Sequence, residues 1–163
     1  MSVKSKSHSK AFPASPLKGL IKKGEEHIEI NELIEAIQYL NSLYEIATAQ
    51  SDTSLEFIRL LALLGKAHGN LFTEKDDAKA AVYLERANAE LQIKISKWKP
   101  KIHKSGAGLE QNVKIKSFLT EIQCDLVTLY CNCDRLNKAE AIFNGLKDHP
   151  SLKVRAWGGG RCL

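Results

Sequence analysis

Apolar side chains recur along this chain with the period of a helix, in blocks separated by short polar turns. From Leu33 onward the apolar positions are Leu33, Ala36, Ile37, Leu40, Leu43, Tyr44 and Ala47, which share one helical face. The block Phe57-Ile58, Leu60-Leu61, Leu63-Leu64 is apolar nearly all round and predicts the most buried helix. Ser15-Pro16 reads as the start of a first helix, with proline at its first position, running to about Glu29. Asn31 is expected to cap the second, which continues to about Gln50. Thr53-x-x-Glu56 is a capping box ahead of the third. Phe72 to Asp77 makes a turn, and a long helix follows from about Asp76 to Ser96. Two more are predicted over about Asn112–Cys131 and Leu136–Lys147.

The blocks repeat a finer pattern three times. A small residue is followed one turn later by an aromatic ring, then a polar turn, then Ala-x3-large-x2-apolar on a second helix. The copies are Gly24, His27, Leu33, Ala36, Leu40, Leu43; Gly65, His68, Ala80, Leu84, Ala87; and Val127, Tyr130, Leu136, Ala139, Phe143, Leu146. Two helices that cross closely need a small residue at the contact, while large residues fill the groove around it. Over roughly 17–150 the chain resembles the tetratricopeptide repeat family, on the spacing between these small and alanine positions and on Pro150 closing the third copy. The repeats are long: Gly24 to Gly65 is 41 residues and Gly65 to Val127 is 62, against about 34 for the family. The resemblance implies an all-α protein, a right-handed α-solenoid of about three helical hairpins over 15–50, 53–97 and 112–150. Around it are expected a disordered basic tail over 1–14, a lysine-rich loop over 98–111, and a frayed tail over 151–163 that Gly158-Gly159-Gly160 keeps from extending. No polar capping helix follows the third hairpin, so a truncated array is expected, a fragment or short isoform that self-associates through Ala139, Phe143 and Leu146.

The resemblance also implies where a partner would sit, because the first helix of each pair lines the family's concave groove. Counted from the small positions, the groove residues are Lys18, Ile21, Glu25 and Ile28, then Arg59, Ala62, Lys66 and Gly69, then Glu121, Cys124, Asp125 and Thr128. The subset of the family that clamps the C-terminal carboxylate of heat-shock chaperones uses Lys and Asn at set positions. Here those positions hold Glu25, Leu63 and Asp125, and carboxylates facing a carboxylate repel. The expectation is an adaptor or scaffold subunit that holds a protein or peptide other than such a tail.

Charge adds an alternative. The net charge is +5, but residues 1–23 carry +6, as do residues 94–116. The rest of the chain is therefore acidic. Lys94, Lys97, Lys99, Lys101 and Lys104 with Trp98 among them could meet phosphates and stack on a base, which gives the alternative expectation of nucleic-acid association.

Chemistry has little to stand on. His27 and His68 fill equivalent repeat positions where an aromatic packs between helices. No H-E-x-x-H, no nucleophile elbow and no phosphate-cradling glycine loop occurs. Cys124, Cys131, Cys133 and Cys162 lack the paired spacing of a zinc site and read as structural thiols in a reducing compartment. No enzyme activity, metal or cofactor is expected. No apolar run nears the ~18 residues that span a bilayer, and the N-terminal segment is no secretory signal. The expected setting is intracellular, nuclear or cytoplasmic. Ser15-Pro16-Leu17-Lys18 resembles a proline-directed kinase site, and a phosphate there is expected to sit favourably at a helix N-terminus.

Overall fold

The computed structural model describes residues 15, 17–97 and 107–146, with backbone alone for 107–109. These form six helices and no strand: α1 Ile21–Glu29, α2 Leu33–Ala49, α3 Leu55–Gly69, α4 Glu74–Lys97, α5 Ala107–Asn132 and α6 Leu136–Leu146. The all-helical class read from the sequence is the one observed. Each helix packs on the next, and in addition α1 touches α3 and α3 touches α5. The third helix therefore has neighbours on four sides, which is why its side chains are apolar all round. Leu60, Leu61 and Leu64 on it are completely buried.

Two glycines set how closely the pairs approach. A Cβ built on Gly24 would lie 2.8 Å from Leu40 Cγ, and one on Gly65 would lie 2.5 Å from Leu84 Cγ. Real Cβ contacts are never so short, so α1 crosses α2 and α3 crosses α4 at separations that only glycine permits. Leu40 and Leu84 are 0% and 2% exposed as a result. The third pair carries Val127 at the equivalent place, where it is half-buried. Phe143, in register with Leu40 and Leu84 along the sequence, is 37% exposed.

The rings following each small residue are anchored by carboxylates. His27 Nδ1 lies 2.7 Å from Glu32 Oε2, and His68 Nδ1 lies 2.8 Å from Asp76 Oδ1. Tyr130, third in the series, donates to Glu85, which Lys138 also reaches. Each bond ties a helix to its neighbour. The Glu85 carboxyl is held below the ordinary glutamate range by the Tyr130 hydroxyl and then by Lys138, against the opposing effect of burial. Burial first, then the Glu85 acceptor, pushes the Tyr130 phenol up.

Helix ends differ from the expected ones in instructive ways. The first helix begins at Ile21, because Gly19, at φ +93° within the turn over Leu17–Leu20, interrupts the helical path before it. Asn31 does not cap α2. It takes φ +63° and closes α1, with Glu32 N bonded to His27 O at 2.8 Å and Asn31 N to Ile28 O at 3.1 Å. This double bond about a left-handed residue also ends α2 at Ser51 and α5 at Asp134. The cap of α3 is Ser54, whose hydroxyl accepts from Phe57 N at 3.1 Å, one residue beyond the expected Thr53. The fourth helix starts at Glu74, two residues early, since Thr73 Oγ1 accepts from Asp76 N at 3.1 Å. The fifth starts at Ala107, so residues 107–111 of the expected loop are helical. The remainder of that loop, the basic tail over 1–14 and the tail over 151–163 lie outside the described residues.

Candidate functional site

The face where α1, α3 and α5 meet carries most of the residues singled out for partner binding. Glu25 stands one residue after the Gly24 crossing, half-buried, and Arg59 stands six residues before the Gly65 crossing. The two helices bring them together: Arg59 Nε donates to Glu25 Oε1 at 2.6 Å, and a second guanidinium nitrogen also reaches that oxygen. The pair links the first helices of two successive hairpins. Further along, α3 approaches α5 at Gly69, where an added Cβ would make an ordinary contact at 3.8 Å with Leu129 Cδ1.

The other groove residues divide into surface and core. Lys18, Lys66, Glu121 and Thr128 are exposed, and Ala62, Cys124 and Asp125 are half-buried. Thr128 turns its hydroxyl onto its own helix, donating to Cys124 O at 3.0 Å. Ile21 departs from the groove assignment: it is 5% exposed and belongs to the core beside Leu17 and Leu40. Ile28 also packs against that core. Both face inward because α1 is short and must spend its apolar side on α2 and α3. The surface left for a ligand is thus mixed in charge, with Arg59 already neutralised by Glu25 and with Lys66 facing solvent on α3.

Two open crevices are also found among the described residues. One, of about 400 Å³, is lined by Leu55, Lys94, Ile95, Lys97, Gln111 and Ile115 where α4 ends and α5 begins. It holds the two described members of the expected nucleic-acid set, a half-buried Lys94 and an exposed Lys97. Trp98, Lys99, Lys101 and Lys104 lie outside the described residues. The other, of about 420 Å³, lies between α2 and α4 and includes Asn41, Tyr44, His68 and Tyr83. Tyr44, Tyr83 and His68 in its lining belong to a row of rings that continues inward to Phe57. Phe57 stacks on Tyr44 at 6.0 Å, Tyr44 meets Tyr83 edge-on at 5.8 Å, and Tyr83 stacks on His68 at 5.9 Å. Arg86 lies over Phe57 and donates to Tyr44 Oη at 3.0 Å.

His68 with Asp76 has the form of an imidazole oriented by a carboxylate, which catalytic triads use. Here the same contacts also hold the α3–α4 turn together. Asp76 is bonded by Thr73 Oγ1 at 2.5 Å, and Thr73 first and His68 second hold its carboxyl below the ordinary aspartate range. The ring is 3% exposed and stacked on Tyr83, so it closes the α3–α4 turn. The Cys133 thiol is pushed up, chiefly by burial and then by Asp77, which makes it a poor nucleophile. Among the described residues no group of three or more His, Cys, Asp or Glu could hold a metal, and no helix is long and apolar enough to cross a membrane.

Comparison of the chain with protein families, with curated proteins and with solved structures finds no match. The residues themselves therefore carry the functional reading.

The residues expected to carry self-association divide between core and surface. Ala139 and Leu146 are 4% and 5% exposed and are used inside the chain by the packing of α6 on α5. Phe143 is 37% exposed, and Leu136 on the same helix is 56% exposed. Three arrangements were not legible in the residue order: the Glu25–Arg59 pair, the carboxylate anchors of the rings, and a knot of Ser15, Asp52 and Ser54. For the first a signal existed, since Arg59 stands at the same offset from Gly65 as Lys18 does from Gly24.

Proposed function

We propose that this chain is a non-enzymatic adaptor of tetratricopeptide-like construction, which holds an extended or helical segment of another protein against the joined face of α1, α3 and α5. The observation that carries the reading is the pairing itself. Gly24 and Gly65 bring α1 onto α2 and α3 onto α4, while α1 touches α3 and α3 touches α5. First helices in a row are how stacked hairpins build a continuous binding surface. The half-buried Ala62 between Arg59 and Lys66 gives that surface a shallow apolar floor beside the Lys66 cation, suited to a segment with an apolar anchor and an acidic flank. The Glu25–Arg59 pair sets the orientation of the guanidinium before any ligand arrives.

The test is selection of binding peptides from a random library, followed by crosslink mapping on the full chain. Crosslinks concentrated on Lys18, Lys66 and the exposed side of α5 support the reading. Lys66→Glu should weaken the selected peptides about tenfold, the scale of one lost charge contact, with the thermal transition unchanged. Crosslinks concentrated on the α2–α4 side, or no peptide above background, defeat it.

A further inference from the structure

Ser15 sits in a polar knot that fastens the start of the described chain to the junction of α2 and α3. Its Oγ donates to Asp52 Oδ2 at 2.9 Å, and it accepts from Ser54 Oγ and from Leu17 N, each at 3.3 Å. Asp52 Oδ1 in turn accepts from Ser54 N at 2.7 Å, and Ser54 Oγ caps α3 through Phe57 N at 3.1 Å. Two residues on, Leu17 is 1% exposed, and its carbonyl accepts from Leu20 N at 3.0 Å and Ile21 N at 3.3 Å. One hydroxyl proton therefore helps hold a core leucine and the entry to α1 in place. Ser15-Pro16 is also the single Ser/Thr-Pro pair in the chain, and Lys18 follows two residues after the proline.

We propose that Ser15 is a phosphorylation site whose modification undocks the Leu17–Leu20 turn from the α2–α3 junction. A proline-directed kinase transfers the γ-phosphoryl group of a nucleoside triphosphate. The Ser15 Oγ–P bond forms, the bond from that phosphorus to the β-phosphate oxygen breaks, the nucleoside diphosphate leaves, and the hydroxyl proton passes to the kinase's base. The product has no proton to donate to Asp52 and brings close to two negative charges against a carboxylate. That carboxylate is charged at neutral pH. Burial is the largest influence on it and pushes it up, but the Ser54 hydroxyl and amide, the Ser15 hydroxyl and the charge of Lys94 together hold it below the ordinary range. The expected favourable phosphate at a helix N-terminus is thus reversed: α1 starts six residues later, and the group facing Ser15 is an anion.

Access explains the direction of control. Ser15 is half-buried and Leu17 is fully so, whereas a kinase must grip both sides of its target serine. The docked turn is a poor substrate. Modification captures the transiently opened turn, and the phosphate then stops it from closing.

The experiment treats the full chain with a proline-directed kinase and MgATP, with Ser15→Ala as the control, and follows incorporation by mass spectrometry. Hydrogen exchange is then read at the amides of Lys18, Leu20, Ile21 and Phe57. Phosphate is expected at Ser15, faster in Asp52→Ala, and the four amides should lose protection by about tenfold or more. Asp52→Asn should restore most of that protection in the phosphorylated chain. Absence of phosphate at Ser15 in both the wild-type chain and Asp52→Ala overturns the proposal. Protection that is unchanged or raised after modification also overturns it, the latter meaning that Lys18 or Lys94 holds the phosphate in place.

Discussion

Adding one carbon at Gly65 tests the central packing relation directly. In Gly65→Ala the new Cβ would stand 2.5 Å from Leu84 Cγ, 2.9 Å from Leu84 Cδ2 and 3.3 Å from the carbonyl oxygen of Ala80. Leu84 is 2% exposed, so it has no free space to retreat into, and the Ala80 oxygen cannot move unless α4 moves. Overpacking of this kind costs about 1–3 kcal/mol. Alanine is the better helix former by roughly 0.5–1 kcal/mol, which offsets part of that loss. The net expectation is destabilisation by about 1–2 kcal/mol, seen as a lower urea midpoint with an unchanged slope. Gly145→Ala on α6 is the matched control, because nothing lies within 4 Å of its added carbon; it should keep or raise the midpoint. Leu84→Ala alone should cost about 2–5 kcal/mol. Combined with Gly65→Ala it should cost less than the sum, because each change relieves the other, with a coupling of about 1 kcal/mol or more. If Gly65→Ala is as stable as the parent, or the two changes simply add, then α3 and α4 do not cross at this glycine and the packing argued above fails.

Three further outcomes are expected. Asp52, Asp76 and Glu85 have folded pKa values below their unfolded ones, so their contribution is complete only above about pH 5 and is lost as pH falls through the folded values; urea midpoints taken downward from pH 5 should drop, and Asp52→Asn should flatten the drop. At the alkaline end the Tyr130 and Tyr83 phenols are raised, Tyr83 chiefly by burial, so stability should decline once pH passes about 10, the unfolded value; Tyr130→Phe should lessen that decline and cost about 1 kcal/mol at neutral pH. Phe72 holds a left-handed backbone, φ +53°, while its ring is 74% exposed, so Phe72→Gly should raise the thermal midpoint by an amount equivalent to about 1 kcal/mol; a lower midpoint would mean that the ring does packing work despite its exposure.

How much of this was legible in advance follows from the range over which each force acts. Helix class and order depend on the period of the apolar positions, and Leu33 through Ala47 or Phe57 through Leu64 display that period without help from distant residues. Gly24 and Gly65 could be singled out as well, because a repeated small residue at a fixed offset from an alanine has few explanations other than a close crossing. The ends of helices were read less well. Asn31, Thr53 and Asp76 are each good cap residues, but Asn31 was needed for a left-handed close, and Ser54 and Thr73 stood better placed for the first free amides. Such choices turn on a bond or two among neighbours of similar propensity, and composition cannot rank them.

What the residue order determined by itself is therefore the helical class and the two crossing points. What only the tertiary structure decided is the company each polar side chain keeps. Arg59 meets Glu25 across 34 positions of chain, Tyr130 meets Glu85 across 45, and Ser15 meets Asp52 across 37. The reason is one of distance. An apolar period is written locally, because every turn of helix must repeat it. A pair of charges is made only when two separate helices have already come to rest, and its sign, attractive at Glu25 or repulsive for a phosphate beside Asp52, is fixed at that contact.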